Sequence, residues 1–242
     1  PIRLGGLSNT NYAINTNKGK KVVKKYKSPN TYRIEVEHAI LQHLEQKAFP
    51  YFAKPLAKKE KINPESDSLD TIVNINGDCY AIFEFKEGQE CQNTYEETID
   101  AGRKLGLLHC ALSDFDPSQK YGKHTKKVEI RNEWIEGIEN YCTIDDEEIK
   151  AAIAPALETI LLLKTKETNE QNMISHHFHA DYHRGNIISN HNQDIIAILD
   201  FEASYKSGQR VIDIAFGAYN FSIDYSNNNN SNNNENSNEN TK

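Results

Sequence analysis

The sequence predicts an α+β fold, and three patterns in its 242 residues carry that reading. Residues 2–27 alternate short extended stretches with glycine-containing turns, so the chain opens as strand, turn, strand, turn, strand. Residues 31–46, 93–112 and 145–164 each repeat apolar side chains at intervals of three and four, the period of an amphipathic helix. Late in the chain two short apolar runs flank the polar turn Asn190-His191-Asn192-Gln193-Asp194, which predicts a hairpin. A chain of this length supports one large domain or two modest lobes.

Composition narrows the class. A net charge of -7 disfavours nucleic acid as the main partner. The charge is uneven: residues 1–61 hold thirteen Lys/Arg against four Asp/Glu, a local +9 that leaves -16 on the remainder. A basic first part suits a polyphosphate ligand, although lysines on exposed strand faces account for most of it. Cys79, Cys91, Cys110 and Cys142 form no C-x-x-C pair, as expected of reduced thiols in a cytoplasmic protein. No run of eighteen apolar residues predicts a membrane span, and the N-terminus shows no signal-peptide core. The chain opens at Pro1, already close to a strand, which reads as a trimmed N-terminus. Residues 226–242 contain ten asparagines and no apolar residue, the composition of a disordered tail.

In chain order, Gly5-Gly6-Leu7-Ser8-Asn9 comes first, where glycine would let backbone N–H groups approach phosphate oxygens closely. Next is Val22-Val23-Lys24-Lys25-Tyr26. Alternation places Lys24 on the face of Val22 and Tyr26, and Lys25 on the other. A lysine on the apolar face needs a reason, and a phosphate supplies one; Lys25 is the second choice. Thr31–Gln46 is a helix with Ile34, Ala39, Ile40, Leu41 and Leu44 inward, while Glu35 faces water. Pro50–Ala57 returns to the sheet, and Thr71–Ile75 and Cys79–Phe85 form a hairpin about Asn76-Gly77-Asp78. The helix over 93–112 turns Ile99, Ala101, Gly102, Leu105, Leu108, His109 and Leu112 inward. Residues 113–147 are irregular and anchored by Trp134; the helix after them turns Ile149, Ile153, Leu157, Ile160 and Leu161 inward.

The hairpin carries the chemistry. Asn186-Ile187-Ile188-Ser189 and Ile195–Leu199 pair, so Asn186 and Asp200 reach the same edge, with Asp181 facing it from the loop upstream. Oxygen ligands from Asn186 and Asp200 suit a hard cation such as Mg2+. His179 and His183, four apart, would present two imidazoles to zinc if the segment were helical. Gly185 and a strand follow at once, however, and no third ligand is well placed.

The stretch from His179 to Asn186, with Ile198-Leu199-Asp200-Phe201-Glu202, resembles the H-G-D-x-x-x-x-N and I-D-F-[DE] segments of the protein-kinase-like small-molecule phosphotransferases. That superfamily includes aminoglycoside phosphotransferases, choline and ethanolamine kinases and homoserine kinases; Ala180 stands here where the family has glycine. The resemblance implies a protein-kinase-like two-lobed fold: an N-lobe over 1–85 with an antiparallel sheet, and a mainly helical C-lobe over 86–225. It implies ATP and Mg2+, a small-molecule hydroxyl acceptor, and Asp181 as the catalytic residue taking the hydroxyl proton. Gly5, Gly6, Ser8 and Asn9 resemble the family's nucleotide loop, and Glu37 its partner for Lys24 on the phosphates. Glu84, Phe85 and Lys86 resemble the hinge whose backbone binds the adenine edge. Asp213 in Asp213-Ile214-Ala215 would brace the catalytic loop, and His183 either touches the γ-phosphate or packs. Asp200-Phe201-Glu202 leans toward the choline and ethanolamine kinases, the first loop equally toward homoserine kinases, and the acidic second half toward a cationic acceptor. The alternative is a nucleotide-binding pseudokinase or truncated module, because family members continue further past the D-x-A segment.

Overall fold

The computed structural model describes residues 1–5, 9–27, 31–57, 71–117, 126–127, 146–151, 154, 158 and 176–222. The first half builds one antiparallel sheet from β1 (Ile2–Gly5), β2 (Thr10–Thr16), β3 (Gly19–Lys25), β4 (Ile72–Ile75) and β5 (Asp78–Glu84), in the order β1-β2-β3-β5-β4. Tight turns set the registers. At Asn76-Gly77 both residues have positive φ (52° and 86°), the two-residue hairpin geometry that matches strand twist, so Ile75 pairs with Asp78.

Helix α1 (Thr31–Gln46) buries Ile34, Val36, Ile40, Leu41 and Leu44, together with two polar residues, Glu37 and His38. It packs against the short 3-10 turn Phe201–Tyr205, which brings the first sheet to the loop that holds Asp200. The segment 50–57 rejoins the sheet as expected, through a single bridge of Pro55 to Phe83, and a second bridge joins Phe52 to Ile198. It thereby ties the first sheet to the late hairpin.

Helix α2 (Tyr95–Ala111) is turned differently from its apolar pattern. Ile99 is 45% exposed and Gly102 is exposed, against expectation, while Glu97 and Asp100 are buried. Specific hydrogen bonds decide the rotation. Thr94 caps the helix and Glu97 closes the capping box; the Glu97 carboxylate also accepts from Ser189 Oγ at 2.5 Å. Asp100 accepts the Ile195 N–H at 2.8 Å, a buried donor that needs a partner.

The second sheet has the order β10 (Ile195–Ile198), β9 (Ile187–Ser189), β6 (Gln89–Glu90). A third joins β8 (His176–His177) antiparallel to β11 (Lys206–Gly208), which pairs parallel with β7 (Lys126–Lys127). Helix α3 (Val211–Ser222) follows. Residues 147–151 are helical as expected, capped by Asp146, which accepts the Glu148 and Ile149 N–H groups. Ile149, expected inward, is 44% exposed: it lies in the first turn, where the cap rather than burial holds the backbone. Ile153, Leu157, Ile160, Leu161, Trp134, Cys142 and the expected tail 226–242 lie outside the described residues. One apolar cluster runs through Ile34, Leu44, Phe52, Leu108, Ile198 and Phe201 and so links both halves. Among the described residues no helix is long and apolar enough to cross a membrane.

Candidate active site

The loop between β8 and β9 holds Asp181, and a buried acid fastens it from behind. Asp213, in the first turn of α3 and fully buried, accepts the His179 N–H at 2.7 Å and the Ala180 N–H at 2.8 Å. His109 Nε2 lies 2.9 Å from the same carboxylate. The bracing expected of Asp213 and the inward position expected of His109 are both present. Ala180 sits at φ 64°, the left-handed region that an L-alanine adopts only under strain. Glycine would take that φ freely, so the departure at Ala180 is stored strain held by Asp213.

His179 is locked beneath the loop. Its Nδ1 accepts the Asp181 N–H at 3.3 Å, so Nε2 carries the proton and donates to the Leu199 carbonyl at 2.9 Å. Both nitrogens are committed, and the segment is not helical. The spacing of His179 and His183 therefore presents no zinc pair; among the described residues no cluster of three or more His, Cys, Asp or Glu could hold a metal.

Asp181 and Asn186 meet as the hairpin reading required. The Asn186 amide nitrogen donates to the Asp181 carbonyl at 3.0 Å and reaches its Oδ2 at 3.2 Å. The Leu199 N–H closes onto the Asn186 carbonyl at 2.8 Å, which carries Asn186 to the Asp200 edge. Asn186 itself lies in the 3-10 turn Arg184–Asn186 and β10 stops at Ile198, one residue short of expectation at each side. His183 stands 3.6 Å from Asp181 Oδ2, and its Nδ1 accepts the Gly185 N–H at 3.1 Å. The pairing holds the Asp181 carboxyl below its usual range and raises the His183 imidazole, each chiefly through the other.

Lys24 joins the two halves. Its Nζ lies 2.9 Å from Glu37 Oε1 and 3.1 Å from Asp200 Oδ1, and Lys24 is 6% exposed. Burial works against the ammonium, yet Glu37 and Asp200 outweigh it and hold its pKa above the ordinary value. Burial likewise pushes the Glu37 carboxyl up, opposed by Lys24. Lys25 points the other way and pairs with Asp78 at 2.5 Å near the surface. Alternation along β3 thus separated the two lysines, turning Lys24 to the buried face and Lys25 to the surface. Asp200 holds φ 59°, a left-handed conformation that an aspartate tolerates.

Asn9, fully within the described chain and 3% exposed, donates from Nδ2 to Glu202 and accepts the Lys27 N–H at 3.1 Å. Gly5 ends β1; Gly6 and Ser8 lie outside the described residues. Glu84 closes β5, its N–H bonded to the Lys54 carbonyl at 2.9 Å; Phe85 and Lys86 follow outside any strand, with Lys86 3.5 Å from the Glu84 carboxylate. Three contributors went unread in the sequence: His38, the Asn9–Glu202 contact and the buried Glu97. Only Glu97 left a local signal, the capping pattern Thr94-x-x-Glu97.

The donor set fits Mg2+. Asp200 offers a carboxylate, and because the Asn186 nitrogen faces Asp181, the amide oxygen is the end left for a ligand. Mg2+ is commonly held by one or two protein oxygens completed by phosphate and water.

Comparison with known proteins agrees with this geometry. No curated protein matches the sequence. The solved spectinomycin phosphotransferase, in complex with ADP and spectinomycin, superposes with a TM-score of 0.64 at 14% identity, over 89% of this chain and 67% of its own. An aminoglycoside phosphotransferase from Alicyclobacillus acidocaldarius gives 0.65 at 15% identity, over 91% and 67%. The GDP complex of an aminoglycoside 2′-phosphotransferase gives 0.62 at 15% identity, over 90% and 71%. These likenesses establish the protein-kinase-like fold. The model of the phosphotransferase enzyme family matches residues 1–228. The chain therefore belongs to the phosphotransferase enzyme family, as an enzyme that transfers a phosphoryl group to an alcohol acceptor.

Proposed function

We propose that the protein transfers the γ-phosphoryl group of ATP, with Mg2+, to a hydroxyl of a small amino alcohol, amino acid or amino sugar. One observation carries the reading: Lys24 Nζ bridges Glu37 and Asp200, at 2.9 and 3.1 Å, beside the Asp181–Asn186 pair. A phosphate-binding lysine, a metal-binding acid and a proton acceptor are the parts that phosphoryl transfer to a hydroxyl requires.

In this reading Lys24 binds the nucleotide phosphates and Glu37 keeps it extended toward them. Gly5, Gly6, Ser8 and Asn9 cover the phosphates, and the backbone of Glu84 to Lys86 takes the adenine edge. Asn186 and Asp200 would hold Mg2+, which screens the negative charge of the transferring group. Asp181 accepts the acceptor's hydroxyl proton as the new O–P bond forms, and ADP leaves with the electrons of the broken P–O bond. His183 keeps the Asp181 carboxylate oriented, which is closer to the packing role than to a phosphate contact. Residues 1–85 and 86–225 form the two lobes about this site. A phosphotransferase solved with spectinomycin, together with the acid Glu90 beside Gly185 and His183, favours a cationic acceptor.

The test is ADP release with MgATP across a panel of hydroxylated amines, amino acids, amino sugars and aminoglycosides, for the native chain and Asp181→Asn. Acceptor-dependent turnover that Asp181→Asn reduces by two orders of magnitude or more, roughly the worth of a general base, supports the reading. ATP binding without Asp181-dependent turnover on any acceptor would instead identify a non-catalytic module of this fold.

A further inference from the structure

We propose that Tyr26, aligned by His38 and Thr71, is a positioning residue that donates a hydrogen bond to the second oxygen of Glu37 and thereby sets where Lys24 stands. The proposal rests on the reading of Lys24 as the phosphate lysine and adds the layer behind it. Glu37 is 2% exposed, and only one of its oxygens, Oε1, meets Lys24. The other, Oε2, is buried with no bond of accepted geometry among the described residues. A carboxylate oxygen in that state is costly, about 1–3 kcal/mol as an unsatisfied buried acceptor.

The neighbouring bonds point to the Tyr26 hydroxyl as its donor. Tyr26 is 3% exposed, and burial, followed by the charge of the neighbouring Glu37, pushes its phenol up. Tyr26 Oη is 3.0 Å from His38 Nε2, and His38 Nδ1 is 2.7 Å from Thr71 Oγ1. His38 is 1% exposed, and burial depresses its pKa to about 3, so the imidazole is neutral and carries one proton. With the proton on Nε2, Thr71 donates to Nδ1, Nε2 donates to Tyr26, and the Tyr26 hydroxyl is free to donate to Glu37 Oε2. With the proton on Nδ1, Tyr26 must spend its hydrogen on His38, and Oε2 stays orphaned. The first arrangement satisfies every group; the second leaves a buried charge-bearing oxygen bare. The chain Thr71, His38, Tyr26, Glu37, Lys24 then points in one direction from the start of β4 to Asp200. Without the Tyr26 hydroxyl, Glu37 holds Lys24 less firmly and the ammonium shifts toward Asp200, away from the phosphates.

Two measurements on the full chain test this. A long-range 1H–15N histidine spectrum near neutral pH should show His38 neutral with its proton on Nε2; a proton on Nδ1 overturns the proposal. Tyr26→Phe keeps the ring that lies under Lys24 at 4.8 Å and removes only the hydroxyl. It should weaken binding of a fluorescent ATP analogue roughly tenfold, the worth of one hydrogen bond to a charged group. The same change made in a Glu37→Gln background should have little further effect. Native affinity in Tyr26→Phe, or an equal loss in both backgrounds, refutes it. Unchanged analogue affinity in Lys24→Met would refute the phosphate reading of Lys24 instead, leaving the tautomer result to stand by itself.

Discussion

Replacing Asp213 with Asn preserves the side-chain volume and removes one acceptor from beneath the catalytic loop. Asp213 is fully buried, and its two oxygens accept the His179 and Ala180 N–H groups at 2.7 and 2.8 Å. An asparagine has one oxygen, so whichever way it flips, its NH2 faces one of these two amide hydrogens. His109 can change tautomer to accommodate the swap, but a backbone N–H cannot. The loss is one bond to a charged acceptor plus an unsatisfied donor, about 3 kcal/mol in all. In a chain of this size that lowers Tm by roughly 6–12 °C. The same change frees Ala180 to leave φ 64°, where about 1–2 kcal/mol of left-handed strain is stored. Asp181 is the next residue, so kcat for any acceptor should fall at least tenfold while the KM for ATP changes little. Calorimetry and ADP release measure the two effects. A Tm within about 1 °C of the native protein, with kcat preserved, would refute the claim that Asp213 braces the loop.

Ala180→Gly should relieve the left-handed strain and raise Tm by roughly 1–3 °C, since the gain is partly offset by greater freedom of glycine in the unfolded chain; a fall in Tm would contradict the strain. Lys24→Met should lower kcat/KM for ATP by roughly a hundredfold, as expected for a lost electrostatic contact to the transferring group. Lys25→Met removes a surface pair with Asp78 and a contact over the Tyr80 ring and should stay within about twofold; the reverse order would assign the phosphates to Lys25. His38 is neutral when folded, with its pKa lowered from 6.5 to about 3, chiefly by burial. Its folded pKa is depressed, so protons favour the unfolded chain: this stability is complete above pH 6.5 and is lost as pH falls toward 3. Between pH 7 and 5 the loss from this one group is about 2 kcal/mol. Urea melts at both pH values should show that loss in the native chain and a smaller one in His38→Gln; equal slopes would remove His38 as the cause.

Much of the site was legible because its signals are local. The two-residue alternation of β3 separated Lys24 from Lys25 without any partner in view. The hairpin between Asn186 and Asp200 followed from two apolar runs and a polar turn, and it delivered both residues to one edge. The bounds of α1 matched its apolar period, Thr31–Gln46. The first sheet's strands, the buried face of Lys24 and the grouping of Asp181 with Asn186 were therefore properties of the chain read by itself.

Tertiary structure decided the rest, and the reason is the same each time. A polar side chain goes inside only where distant groups satisfy it, and such partners have no period. The apolar spacing of α2 put Ile99 inward, but Ser189, 92 positions along the chain, and the Ile195 N–H turned Glu97 and Asp100 in instead. Asn9 meets Glu202 across 193 positions, and Lys24 meets Asp200 across 176. The strained φ of Ala180 is invisible in a motif that merely shows alanine for glycine; the two backbone hydrogen bonds that Asp213 accepts explain why the loop keeps it. Periodicity placed the candidate groups on their elements, and long-range hydrogen bonds between buried polar atoms fixed how those groups face one another.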